Sequence, residues 1–214
     1  MSRLRTSSVA GVLAALILVA QGATPERVAG RYVLEGEHEV GSELVLQRGG
    51  QFAYMLSYGA ADYTARGKWH VAGETVVLDT RPPTEPPFKL VRSLPLHTPD
   101  IRVWVTTKKG TPVPRLEVVL TTEKGDASAT TDRDGMAIFP AASAAKSVII
   151  RMPVYNKDSG AIALKELDTD ITFVMNPEAI ATVPFHGEML KIEGDTLEML
   201  YWDKTKPMVY RRQK

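Results

Sequence analysis

Asp62-Tyr63-Thr64-Ala65-Arg66-Gly67-Lys68-Trp69-His70-Val71 is the stretch that decides the fold. Tyr63, Ala65, Gly67, Trp69 and Val71 share one parity, while Asp62, Thr64, Arg66, Lys68 and His70 share the other. Successive strand residues point to opposite sides, so the segment predicts a half-buried strand with one apolar and one wet face. Just upstream, Phe52, Tyr54, Leu56 and Tyr58 keep the same step. Turn signals bracket both strands: Arg48-Gly49-Gly50-Gln51, Tyr58-Gly59-Ala60, and Val71-Ala72-Gly73-Glu74 before Thr75-Val76-Val77-Leu78. Residues 42–80 therefore predict an antiparallel meander joined by short glycine turns.

Working outward, Gly30-Arg31-Tyr32-Val33-Leu34-Glu35 predicts a first strand, with a turn over residues 37–42 and a strand from Glu43 to Gln47. Downstream, Arg81-Pro82-Pro83-Thr84-Glu85-Pro86-Pro87 lacks ladder donors at its prolines and should run extended as a stiff connection. Phe88-Lys89-Leu90-Val91-Arg92 predicts a sixth strand, and Leu94-Pro95-Leu96-His97-Thr98-Pro99 then punctuates the chain as a domain boundary. From Ile101 a second β-pattern of about seven short strands, with turns at near-regular spacing, predicts a small sandwich. No stretch has a convincing helical period, and residues 141–146 are too short to stand as a helix alone. After Asn176-Pro177, residues 189–192, 197–202 and 208–211 predict three further strands. Isolated hairpins are barely stable in water, so these should return to the first sheet and complete it. The expected organisation is a leader over residues 1–22, a first β-unit over 23–97, a sandwich over 98–177, and returning strands over 178–214. The fold class is all-β: a small antiparallel barrel interrupted by an inserted sandwich.

The leader has its own grammar. Ser2-Arg3-Leu4-Arg5 is basic, residues 9–20 are apolar, and Ala20-Gln21-Gly22 places small residues ahead of a cleavage before Ala23. That is the three-part pattern of a secretory signal peptide. The apolar run falls short of the roughly 20 residues a spanning helix needs, so no stable membrane span is expected after cleavage. Arg3 and Arg5 leave with the leader, taking the net charge from +1 to −1. Acidic and basic residues are balanced and dispersed, which argues against a nucleic-acid partner. The chain has no cysteine, which excludes a lipid-modified amino terminus and a disulfide framework. A cysteine-free exported β-protein points to a bacterial envelope: periplasmic or secreted. At 214 residues with 44% hydrophobic content, the chain is large enough to fill a substantial core.

Gly30-Arg31-Tyr32, Ser42-Glu43-Leu44-Val45-Leu46, Gly50-Gln51-Phe52, Gly67-Lys68-Trp69 and Val76-Val77-Leu78, with Asp195-Thr196-Leu197-Glu198-Met199 and Tyr210-Arg211 near the end, resemble a lipocalin-like, calycin-type small barrel. The likeness is to uncharacterised exported bacterial proteins with this opening. Residues 101–105, Gly110-Thr111-Pro112-Val113-Pro114, Val118-Val119-Leu120, Thr131-Asp132 with Gly135, and Ala137-Ile138-Phe139 resemble transthyretin-like modules, which include carboxypeptidase regulatory-like domains. Pro114-Arg115 stands where that pattern usually has a glycine after its Pro-Val pair. This second resemblance implies a prealbumin-like sandwich serving as a structural or adhesive spacer. Neither resemblance carries functional residues over.

Candidate chemistry is sparse. Ser143-Ala144-Ala145-Lys146 fits S-x-x-K, but no companion Ser-Asp-Asn or Lys-Thr-Gly follows, so a loop is expected. Glu37-His38-Glu39 and the scattered His70, His97 and His186 lack the local spacing of a metal site. Asp132-Arg133-Asp134-Gly135 lacks the further ligands of a calcium loop and predicts a hairpin turn. Phe52, Tyr54, Tyr58, Tyr63 and Trp69 either fill a packed barrel core or line a pocket at its mouth. In the pocket reading, Tyr54, Tyr58, Tyr63, Arg66 and Trp69 are the candidate ligand-binding residues.

No catalytic residue, metal or cofactor is predicted. The expected function is that of a non-catalytic exported envelope protein, a binding or scaffolding module whose partner is a small apolar molecule or another envelope protein. The alternatives are an apolar-ligand carrier using the barrel mouth, an enzyme of unrecognised type, and an adhesive protein working through exposed sheet edges. A deep cavity beside Tyr54, Tyr58 and Trp69 favours the carrier, and a filled barrel favours the scaffold.

Overall fold

The computed structural model describes residues 23–95, 98–140, 145–165 and 168–214. The predicted leader lies outside the described residues, as do His97 and Ser143. A short helix α1 (Pro25–Val28) leads into β1 (Gly30–Glu35), β2 (Val40–Leu46), β3 (Gln51–Tyr58), β4 (Ala61–Ala72) and β5 (Thr75–Thr80). The chain then makes β6 (Phe88–Leu94), β7 (Ile101–Thr107), β8 (Glu117–Thr122), β9 (Gly125–Thr130), β10 (Met136–Phe139), β11 (Ala145–Met152), β12 (Lys157–Asp158), β13 (Ile162–Ala163) and β14 (Asp170–Met175). A second short helix, α2 (Pro177–Ala181), precedes β15 (His186–Glu193), β16 (Thr196–Met199) and β17 (Met208–Arg212). No helix among the described residues is long and apolar enough to cross a membrane.

The parity read from the sequence becomes the inside and outside of a closed barrel. In β4, Ala61, Ala65 and Trp69 are buried and Tyr63, Gly67 and Val71 half-buried, while Asp62, Thr64, Arg66, Lys68 and His70 are exposed. Eight strands close in the order β1-β17-β16-β15-β5-β4-β3-β2. The last strand seals the ring by pairing antiparallel with both β1 (Leu34 opposite Tyr210) and β16 (Leu197 opposite Tyr210). Closure leaves no barrel edge exposed, which removes the usual route to edge-to-edge aggregation. Gly67 has a specific reason to lack a side chain: a Cβ there would sit 1.9 Å from the Asp79 carbonyl oxygen, so β5 passes where it would be.

β6 to β14 form two facing sheets, β10-β7-β14-β6 and β12-β11-β8-β9, with β13 paired to β11. All pairings are antiparallel except that of β14 with β7. Val103, Val105, Ile171 and Phe173 of one sheet pack with Val118, Leu120, Val148 and Ile150 of the other, every one fully buried. Each such side chain contributes about 1.5–3 kcal/mol of burial. At the Asp132–Gly135 turn, the Asp132 carboxylate accepts the backbone N–H groups of Asp134 (2.9 Å) and Met136 (3.0 Å). Gly135 has φ +74°, and a Cβ on it would lie 2.5 Å from the Val105 oxygen, so glycine is required.

One strand sits differently from expectation. Phe88–Leu94, read as the sixth strand of the first unit, pairs with β14 and belongs to the sandwich. The excursion therefore begins in the proline run after Thr80 rather than near residue 98. Prolines cannot donate to a ladder, so residues 82–87 are where the barrel lets the chain go.

The excursion leaves and returns through a clamped seam. Thr80 N–H donates to the Phe185 carbonyl (2.9 Å), Thr80 Oγ1 donates to the Val183 carbonyl (2.9 Å), and Phe185 N–H donates to Thr80 Oγ1 (3.1 Å). Val183 N–H donates to the Thr64 carbonyl (2.9 Å), and Thr182 bridges Thr64 in parallel. The returning segment thus lies beside the half of β4 that extends past β5.

Candidate functional site

The barrel interior was the expected location of any ligand. Its inward side chains pack against one another: Leu44, Val76, Leu78, Phe185, Leu190, Met199 and Tyr210 have no exposed surface. Phe185 comes from outside the meander, carried in by the returning segment, and packs edge-on against Tyr54 at 5.1 Å and Tyr201 at 4.9 Å. Several polar side chains of this core are joined in a chain. Trp202 Nε1 donates to the Tyr54 hydroxyl (2.9 Å), the Tyr54 and Tyr210 hydroxyls lie 3.4 Å apart, and Tyr210 and Ser42 Oγ are 2.9 Å apart. Ser42 Oγ in turn donates to the Met55 carbonyl (2.6 Å), so the chain ends on backbone. Burial pushes the phenols of Tyr54 and Tyr210 above their ordinary value, so both stay neutral hydrogen-bonding groups.

Both ends of the barrel are covered. At one, α1 seals the ring: Tyr32 donates to the Val28 carbonyl (2.6 Å) and the Arg212 guanidinium donates to the Ala29 carbonyl. At the other, residues 200–207 fold across the rim. Asp203 Oδ1 shapes this segment by accepting from the Thr205 N–H (2.7 Å) and Lys206 N–H (3.3 Å), and Lys206 pairs with Glu37 at 2.6 Å. Trp202 packs on Tyr63 at 4.9 Å, and Tyr63 on Tyr155 at 5.2 Å. Tyr155 comes from the sandwich, in the 3-10 turn Pro153–Tyr155, and its hydroxyl accepts the Asp62 N–H (3.2 Å). Tyr63 donates back to the Val154 carbonyl (3.3 Å).

The five candidate residues do not line one space. Tyr54 and Trp69 are 2% and 4% exposed within the core. Trp69 lies toward the α1 end, where its Nε1 donates to the Gln47 carbonyl (2.8 Å). Tyr63 is half-buried under Trp202 at the rim, and Tyr58 is 57% exposed at the end of β3. Arg66 lies on the outer face of β4 and lines an external groove instead. Sequence periodicity missed Phe185 and Tyr155, which sit in segments with no alternation to reveal an inward face. It carried Tyr201 and Trp202 in a strand over residues 197–202 that instead ends at Met199, leaving both in the segment across the rim.

Among the described residues no group of three His, Asp or Glu side chains converges in a metal-like cluster. His38, His70 and His186 are exposed. Lys146 lies in β11 and pairs with Glu123 at 3.5 Å. The outer face holds a polar concavity. A groove of about 750 Å³ runs beside β3, β4 and β5, bordered by Gln47, Gln51, Arg66, Lys68, Asp79 and Arg81. Comparison of the chain with protein-family models, with curated proteins and with solved structures gives no match.

Proposed function

We propose that this is a non-catalytic exported protein of the bacterial envelope, a binding or scaffolding module that works through its outer surface rather than through the barrel lumen. The filled interior carries this reading: Phe185, Tyr54, Tyr210 and Trp69 occupy the space a carrier would keep for its ligand. Carrier sites of that kind are roughly 300–1,000 Å³ and are lined by apolar side chains, not occupied by them. The finer likeness, a lipocalin-like barrel carrying a transthyretin-like sandwich, belongs to this proposal. It is supported by the closed eight-strand antiparallel ring and by the two facing sheets of the insert. The Tyr63–Tyr155 contact suits a scaffold, since it ties the two units together.

Two measurements test the proposal. The purified protein is titrated with N-phenyl-1-naphthylamine, a neutral apolar fluorophore. No saturable binding is expected, and a one-to-one saturable complex would return the barrel to the carriers. Cell fractionation with amino-terminal sequencing should find the chain outside the cytoplasm, beginning at Ala23. Retention in the cytoplasm with residues 1–22 intact would overturn export.

A further inference from the structure

We propose that the external groove beside β3, β4 and β5 is a binding site for an oxyanion of two or more negative charges, a phosphoryl group first among them. This deepens the surface-acting reading above and rests on it. The barrel's own pairing builds the site. In one outer row, Gln51 stands opposite Lys68, and Lys68 opposite Asp79. In the next row, Ala53 stands opposite Arg66, and Arg81 is held against Arg66 by its N–H donating to the Arg66 carbonyl (2.8 Å). Three cations thus share one face and line one concavity, with the small Ala53 beside them and the Gln47 and Gln51 amides along its border.

This arrangement is unfavourable without a counter-charge. Like charges directly opposite on neighbouring strands destabilise a sheet. Four other strand arginines are paired with carboxylates: Arg31 with Glu43, Arg92 with Asp170, Arg151 with Glu117 and Arg211 with Glu35. Among the described residues, Arg66, Lys68 and Arg81 have no such partner. Asp79 is the one carboxylate among the described residues that border the groove, and its Oδ1 accepts the Gly187 N–H (2.8 Å). Glu178 lies across the arginine pair, in a neighbouring cleft that Arg66 and Arg81 also line with Thr64 and Thr182. Arginine forks match the oxygens of phosphate and carboxylate groups, and lysine adds a point charge. The backbone beneath Arg66 and Arg81 is fixed by the β4–β5 ladder and the Thr80 seam, so the cations sit on a rigid floor.

Pyrophosphate, titrated calorimetrically into the intact mature protein at low ionic strength, is expected to bind saturably at one site and to weaken as salt rises. The double variant Arg66→Gln/Arg81→Gln should bind at least about tenfold more weakly, the scale of one lost charge-assisted hydrogen bond. Arg66→Lys, which keeps the charge and loses the fork, should fall between. Arg133→Gln, in the sandwich's Asp132–Gly135 turn, should bind as wild type does. Vesicles containing phosphatidylglycerol, in parallel sedimentation, separate the two sources of the anion. Vesicle binding displaced by pyrophosphate assigns a lipid headgroup, and pyrophosphate binding alone assigns a free phosphorylated molecule. Absence of saturable binding to either probe overturns the proposal, as does equal binding by wild type and the double variant. N-phenyl-1-naphthylamine keeps the two readings apart: an empty groove with the lumen still closed to it sinks only the anion site.

Discussion

Trp69 is anchored twice, by an indole 4% exposed within the barrel core and by its Nε1 donating to the Gln47 carbonyl at 2.8 Å. Truncation leaves a cavity and removes the partner of a part-buried acceptor. Trp69→Ala should lower stability by about 3–5 kcal/mol, the range for large core truncations. The urea midpoint measures it, and a midpoint equal to wild type would place the indole outside the core. Glu188 makes a different test. Burial holds its carboxyl above the usual carboxylate range, with Lys204 pulling it partly back. A carboxyl raised in the folded state binds its proton more tightly there than in the unfolded chain. Its effect therefore begins near the unfolded value of about 4.3 and grows unfavourable as pH climbs through the folded one. Glu188→Gln should melt at a higher temperature than wild type at pH 7, with the two converging below about pH 4. A variant that melts lower at neutral pH would show that the attraction of Lys204 outweighs the burial.

At the scale of elements, what the sequence revealed followed from period and what it hid followed from partner choice. The β3 and β4 alternation survives as burial because a one-residue slip would turn every inward side chain out. Gly50, Gly59 and Gly73 take positive φ in the turns that fix this register. The return of β15 to β17 was legible because three short strands need another sheet to complete. Phe88–Leu94 was not placed correctly, since its own residues suit either sheet. Its partner β14 lies some 80 residues on, with a register shift between Thr172 and Phe173 that no local pattern announces. The helices α1 and α2, of 4 and 5 residues, are too short to show a period. Arg66 illustrates the limit at the site. Its parity already set it on the opposite face from Tyr63 and Trp69, so grouping the three in one pocket conflicted with the strand's own alternation. Arg81, its neighbour across the ladder, sits at the head of a proline run, and only the pairing of β4 with β5 brings the two together.

Across the whole molecule, the two hydrophobic cores are separate clusters, one inside the barrel and one between the sandwich sheets. They meet at the Tyr63–Tyr155 contact. Thr80 and Val183 are joined by a hydrogen bond of 2.9 Å, so the barrel's two cut ends already lie side by side. Closing such a gap with a short flexible loop costs little, because closure entropy grows only slowly with length. Replacing residues 82–181 by a short Gly-Ser linker should therefore leave a barrel that folds by itself, keeping Thr182 beside Thr64 and Phe185 in the core. Its loss relative to the full chain should be about 1–2 kcal/mol, the combined scale of one aromatic pair and one or two hydrogen bonds. A cooperative melt with the near-ultraviolet dichroism of a fixed Trp69 is the expected result. A product with strand content but no fixed aromatic signal would mean that the barrel needs the insert to pack. The molecule would then be one cooperative unit rather than a β-shell carrying a self-contained passenger, because a core that closes on its own residues has no need of side chains from another one.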